Sequence, residues 1–99
     1  MAGPIYKLFL AKAGEAWYRL SEEERADLMA KDKAALEKAG GKVVIYCDSA
    51  WCSEQWQFFG VEEFPDIEAV QKFTEELNKL DWFRYGESMT VLGTKSEPS

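Results

Sequence analysis

The order of helix-start signals and short apolar stretches constrains this chain most. Two helices announce themselves. The first follows Ser21-Glu22-Glu23-Glu24, a capping box in which serine and the third glutamate satisfy each other's backbone N–H groups. The second follows Pro65-Asp66, a proline and an acidic cap ahead of an apolar run of helical period. Four stretches rich in aromatic and β-branched residues lie around them. In chain order the pattern reads strand, helix, strand, strand, helix, strand.

The first strand is Ile5 to Leu10, interrupted only by Lys7, so both of its faces are largely apolar. Ala13 to Leu20 is a connection whose Trp17 and Leu20 pack down ahead of the helix. Helix one runs to about Ala39, where Gly40-Gly41 stops it. Its inner arc carries Leu28, Ala35, Leu36 and Ala39, with Met29 at the edge, and also two charged residues, Arg25 and Asp32. The second strand is Lys42 to Asp48. Ser49 to Ser53 turns the chain into a third strand, Glu54 to Glu63, which makes the pair a hairpin. Helix two reaches about Leu80 and buries Ile67, Val70, Phe73, Thr74, Leu77 and Leu80. Trp82 and Phe83 lock its C-terminus, and Ser88 to Gly93 is the last strand. This order specifies an α+β fold, a ferredoxin-like βαββαβ unit with a four-stranded antiparallel sheet. It forms a single domain over 1–99, with an ordered core from about 4 to 94 and a polar tail, 95–99.

With 99 residues, the chain has room for one core. Its hydrophobic fraction of 46% is that of a globular protein. The four Trp, four Tyr and six Phe are more than such a core can hold, so some line a pocket, an interface or the surface. A net charge of −6, with basic residues scattered, argues against nucleic acid as a partner. No apolar stretch is long enough to span a bilayer, and no signal peptide is visible. Cys47 and Cys52 do not make a secreted disulfide scaffold, so the expected location is cytoplasmic with both thiols reduced.

The chain contains no histidine. A zinc site would need both thiols plus carboxylates, and haem or non-haem iron would lack an imidazole ligand. Ser-His and Cys-His nucleophilic catalysis are also removed. No metal and no cofactor is expected. What remains for chemistry is Tyr, Asp and Arg. Tyr46 and Asp48 share a strand face and can serve as proton donor and general base; equally, Tyr46 is a core aromatic and Asp48 opens the Asp48-Ser49 turn. Arg25 and Asp32 lie two helical turns apart on one side, Arg25 suited to an anion and Asp32 to a base or acceptor. The plainer reading has Arg25 lying along the surface over its apolar stem and Asp32 at the rim. Trp51 and Trp56 flank the hairpin turn and could wall a planar ligand, with Tyr6 of the first strand as a further contact.

The chain resembles the dimeric α+β barrel superfamily, and within it the small darcynin-like proteins. The resemblance lies in Trp17-Tyr-Arg-Leu20 with Glu24-Arg25, Ile45-Tyr-Cys-Asp48, Phe64-Pro-Asp-Ile-Glu and Leu77-Asn-Lys-Leu-Asp-Trp-Phe-Arg-Tyr85. It covers most of residues 5–94. It implies two protomers packed sheet to sheet, and pockets between sheet and helices that serve cofactor-free oxygenases, isomerases and polyketide cyclases, with haem enzymes in some branches. The darcynin-like branch implies no particular activity. A dimer also follows from the residues themselves: two helices cannot cover both faces of a sheet apolar on both sides.

The expectation is therefore a pocket for a small aromatic or polyketide-like compound, with or without catalysis. Tyr46, Asp48 and Asp32 would handle protons; Arg25, Trp51, Trp56 and Tyr6 would bind. The alternative is a non-catalytic interaction module working through its aromatic surface or its homodimer.

Overall fold

The computed structural model describes residues 3–97; Met1, Ala2, Pro98 and Ser99, the ends of the expected unit and its tail, lie outside them. In chain order the elements are β1 (Ile5–Ala13), α1 (Glu15–Tyr18), α2 (Glu22–Lys38), β2 (Lys42–Asp48), β3 (Phe58–Phe64), α3 (Ile67–Lys79), a 3-10 turn (Trp82–Tyr85) and β4 (Gly86–Gly93). The strands form one antiparallel sheet in the order β2-β3-β1-β4, the ferredoxin-like arrangement.

Local chemistry sets the helix ends. Ser21 Oγ accepts from the Glu24 N–H and Glu24 Oε1 accepts from the Ser21 N–H, closing the capping box of α2. Its other end is a Schellman turn. The Gly41 N–H reaches Leu36 O, the Gly40 N–H reaches Glu37 O, and Gly40 takes φ 86°, which a side chain would resist. Asp66 caps α3 by accepting from the Ala69 N–H at 2.8 Å.

The sheet register fixes which side chains share a face, because residues directly opposite in an antiparallel pair point the same way. Ile5, Lys7, Phe9 and Ala11 of β1 lie opposite Phe64, Glu62, Gly60 and Phe58 of β3. This is the helix-covered face, since Phe64 stacks near Phe73 of α3 with ring centroids 5.7 Å apart. The buried core gathers Ala35, Leu36 and Ala39 of α2 around Phe64, Phe73 and Leu77. It occupies the end of the sheet where β1 begins and β3 ends. Toward the other end, Phe9, Phe58 and Leu28 are only partly buried and Tyr46 is exposed. The helix-covered face is thus fully buried at one end and partly exposed at the other.

Several elements differ from expectation. β1 runs on to Ala13, because its pairing with β4 extends from Tyr6 opposite Gly93 to Ala13 opposite Gly86. β3 starts at Phe58 and not at Glu54. The 49–57 segment is held as a loop by its serines: Ser53 Oγ accepts from the Gln55 and Trp56 N–H groups, and Ser49 Oγ donates to Trp56 O. Among the expected inner residues of α3, Ile67 is exposed and Ala69 is buried in its place. Trp82 packs on the core as expected, whereas Phe83 is exposed. Residues 94–97 carry no regular structure. No described helix is long and apolar enough to cross a membrane.

Candidate functional site beneath helix α2

Where the core stops, charge begins. Lys7 and Glu62 lie directly opposite each other on β1 and β3, one residue pair on from Ile5 and Phe64. Lys7 is 9% exposed and Glu62 7%. Asp32 lies one helical turn before the buried Leu36, so α2 brings it down on the same stripe. Its charge is felt by Lys7, Glu62 and Tyr46. On the core side Lys7 Nζ stands 5.1 Å from the centroid of Phe73, an attraction of ammonium for the ring face.

Beyond the charges lies an aromatic floor. Tyr46 of β2 and Phe9 of β1 flank Gly60 of β3 on either side. The missing side chain lets them meet: a Cβ on Gly60 would fall 2.8 Å from Phe9 Cζ and 2.7 Å from Ile45 O. The Phe9 and Tyr46 centroids are 5.9 Å apart, and Tyr46 stacks on Phe58 at 5.6 Å and 22°. Tyr46 is half exposed on β2, the edge strand, so this end of the aromatic floor meets solvent.

Among the described residues, Lys7, Asp32 and Glu62 influence one another through space and not through hydrogen bonds. Among the described residues no side-chain nitrogen or oxygen is sealed from solvent without a partner. The unpaired tips of Lys7 and Glu62 must therefore touch accessible space, although nine-tenths of each residue is covered. Burial raises the Glu62 pKa to about 7, tempered by Lys7 and reinforced by Asp32. Burial likewise raises Asp32 to about 6, tempered by Lys7. The Lys7 ammonium is lowered by burial against the pull of Glu62 and Asp32. The Tyr46 phenol is raised by burial and by Asp32, Asp48 and Glu62. Near neutral pH, Glu62 stands close to half-protonation and Asp32 is mostly ionised, a pairing suited to giving and taking a proton.

The residues singled out from the sequence divide into groups. Asp32 and Tyr46 come together in this cleft. Asp48 Oδ1 accepts from the Ala50 N–H and so holds the turn. Arg25 is occupied: its Nε donates to Trp17 O at 3.1 Å and its Nη2 to Tyr18 O at 2.9 Å, with both aromatic rings 5.9 Å away. Trp51 is 80% exposed on the loop and donates from Nε1 to Asp48 O. Trp56, in the loop ahead of β3, lies beside Lys12. Tyr6 is paired with Glu63 and Gly93, which puts it on the opposite face of the sheet from Asp32. Lys7 and Glu62 are not among the site residues the sequence suggests: each shows only as one polar position between apolar or small neighbours on its strand face, Lys7 between Ile5 and Phe9, Glu62 between Gly60 and Phe64. Among the described residues no His, Cys, Asp or Glu cluster could hold a metal ion.

Sheet order and helix placement together define a ferredoxin-like α+β protein. Residues 7–99 match a family of unknown function, DUF6616, and the chain belongs to that family. No curated protein matches the sequence. Among solved structures, the chain is similar to chlorite dismutase from Candidatus Nitrospira defluvii, with TM-score 0.77 and 16% identity. The match covers 99% of this chain but only 42% of that one. The same enzyme in complex with imidazole gives TM-score 0.77 at 17% identity. A protein of unknown function from Rhodopseudomonas palustris gives TM-score 0.67 at 19% identity, covering 99% of this chain and 86% of that one. At such identities the likeness is one of fold.

Proposed function

We propose that the chain binds a small planar compound, aromatic or polyketide-like, in the cleft between α2 and strands β1, β3 and β2. Glu62 and Asp32 exchange protons with it there. The observation that carries this reading is the pair Lys7 and Glu62, nine-tenths buried yet unpaired, facing a half-open aromatic floor. Burying charges without a mutual ion pair destabilises a fold, and such an arrangement persists at sites where a ligand completes it. The reaction class it suits is proton transfer at a phenol or next to a carbonyl, as in an isomerase or a cyclase, with no cofactor invoked. Tyr46 keeps the donor role expected of it, while the base role passes from Asp48, whose carboxylate holds a turn, to Asp32 and Glu62. A darcynin-like affiliation would add no reaction to this. The unpaired Cys47 and Cys52 and the acidic net charge suit a reducing, cytoplasmic setting.

The test is an NMR titration of isotope-labelled protein with a panel of phenols and aromatic acids. Shifts centred on Phe9, Tyr46 and Phe58, weakened by Asp32→Asn and Glu62→Gln, are expected. Shifts confined to Trp51 or to the far face of the sheet would overturn the reading.

A second reading concerns that far face and is compatible with the first. Leu8, Ile45, Met89 and Val91 there are between 37% and 58% exposed. A second copy of the chain, packed face to face about a two-fold axis, would cover them. Two copies would also approach the length of one chlorite dismutase chain, of which this chain spans 42%.

A further inference from the structure

The amine of Lys7 has a use that proton exchange leaves untouched. It projects from β1 on the helix-covered face, bears no hydrogen bond or ion pair among the described residues, and is backed by the Phe73 ring. Two carboxyl groups, Glu62 directly across the ladder and Asp32 from α2 above, act on it through space. Of the nine lysines in the chain it is the only one that is buried. From this geometry we infer that Lys7 is a nucleophile that forms an iminium with the carbonyl group of a small aromatic aldehyde or ketone. This rests on the cleft being a ligand pocket and goes further, naming the bond the ligand makes.

The chemistry balances within the cleft. The Lys7 ammonium gives a proton to the Glu62 carboxylate. The free amine attacks the carbonyl carbon, forming the C–N bond, and the carbonyl π pair moves to oxygen, which takes a proton from a carboxyl group. The resulting carbinolamine loses that oxygen as water after a second protonation, and the nitrogen gives up one proton to a carboxylate. A protonated imine and one water are the products, with no oxidant or reductant required. In water the first transfer is steeply uphill, because ammonium and carboxylate differ widely in basicity. Here burial brings them closer from both sides, lowering Lys7 and raising Glu62. A lysine with a depressed pKa in a partly apolar site is the form in which amines act on carbonyls.

The experiment treats the native protein with benzaldehyde and sodium cyanoborohydride, which reduces an iminium to a stable amine, and maps the modified lysine by peptide mass spectrometry. A single predominant adduct is expected at Lys7, formed about tenfold or more faster than at surface lysines, because burial favours its uncharged amine. Lys7→Arg should abolish it, and Glu62→Gln should slow it. Adducts spread evenly over the exposed lysines would overturn the proposal, and because mapping is done on the native chain this holds even if the variant folds poorly. Benzyl alcohol, which has the ring but no carbonyl, separates the two readings. If it binds at Phe9 and Tyr46 while benzaldehyde leaves Lys7 unmodified, the pocket stands and the iminium falls. If neither compound engages the cleft, both fall.

Discussion

Glu62 shows what a single buried carboxyl group does to the whole protein. Its ordinary pKa is 4.5, and in the fold it is pushed up to about 7. Between those values the folded state holds a proton that the unfolded chain has released. The stability tied to that proton is present at low pH and is lost as pH rises through the folded value. Glu62→Gln keeps the shape and removes the titration. The variant should therefore gain on the native protein by roughly 2–3 kcal/mol between about pH 5 and about pH 8. Urea denaturation of both proteins at the two pH values measures this difference of differences, which cancels the contributions of the many other acidic groups. A constant gap would mean that Glu62 ionises as freely as in water. Neither Glu62 nor Lys7 could be recognised as a site by itself. Each is one polar residue in an alternating strand, and what joins them is the β1–β3 register, which links residues far apart in the chain. Asp32 was legible because helical periodicity is local: its spacing from Leu36 placed it on the inner arc without any knowledge of the sheet.

At the scale of elements, Arg25 decides how α1 is held. The 15–18 helix is one turn long and its N-cap makes no side-chain hydrogen bond. The Arg25 guanidinium reaches from α2 to two of its carbonyl groups, those of Trp17 and Tyr18. The Gly14 N–H ties the start of the segment to Tyr85 O at 2.8 Å, and Trp17 meets Tyr85 edge-on. Arg25→Ala should thus loosen residues 14–20, at a cost of about 1 kcal/mol for hydrogen bonds only partly shielded from water. Arg25→Lys should fail to restore them, since an ammonium lacks the fork that spans both carbonyls. Hydrogen exchange across that segment is the readout. Unchanged exchange together with loss of anionic ligands would instead return Arg25 to the anchoring role its sequence position suggested. The helix ends were legible for the same local reason as Asp32, because capping boxes and Schellman glycines act within one turn. The start of β3 was not. Gln55 to Phe58 alternates as a strand would, but two serines bind the backbone of that segment first, and Gln57 Oε1 accepts from the Ala13 N–H.

For the whole molecule, the sheet divides two environments that the sequence could place only in outline. One face carries the helices, the core and the charged cleft; the other carries Leu8, Ile45, Met89 and Val91 with little above them. Four strands about 4.8 Å apart and roughly seven residues long present about 400 Å² in plan, the size of the largest apolar patch on a typical monomer, which is often an interaction surface. Val91 lies opposite Leu8 near the middle of β4 and is 58% exposed. If a second copy covers this face, the native protein should sediment as a dimer at micromolar concentration. Val91→Lys would then place a charge in the centre of the interface and weaken association about a hundredfold, equivalent to about 2.7 kcal/mol. The substitution points away from α2, so binding of benzyl alcohol in the cleft should survive it within each protomer. A native protein that sediments as a monomer would remove the dimer and leave the cleft untouched. Loss of cleft binding on dissociation would show that the two faces act together, with the partner's pressure on the sheet holding the Phe9, Tyr46 and Phe58 floor in place.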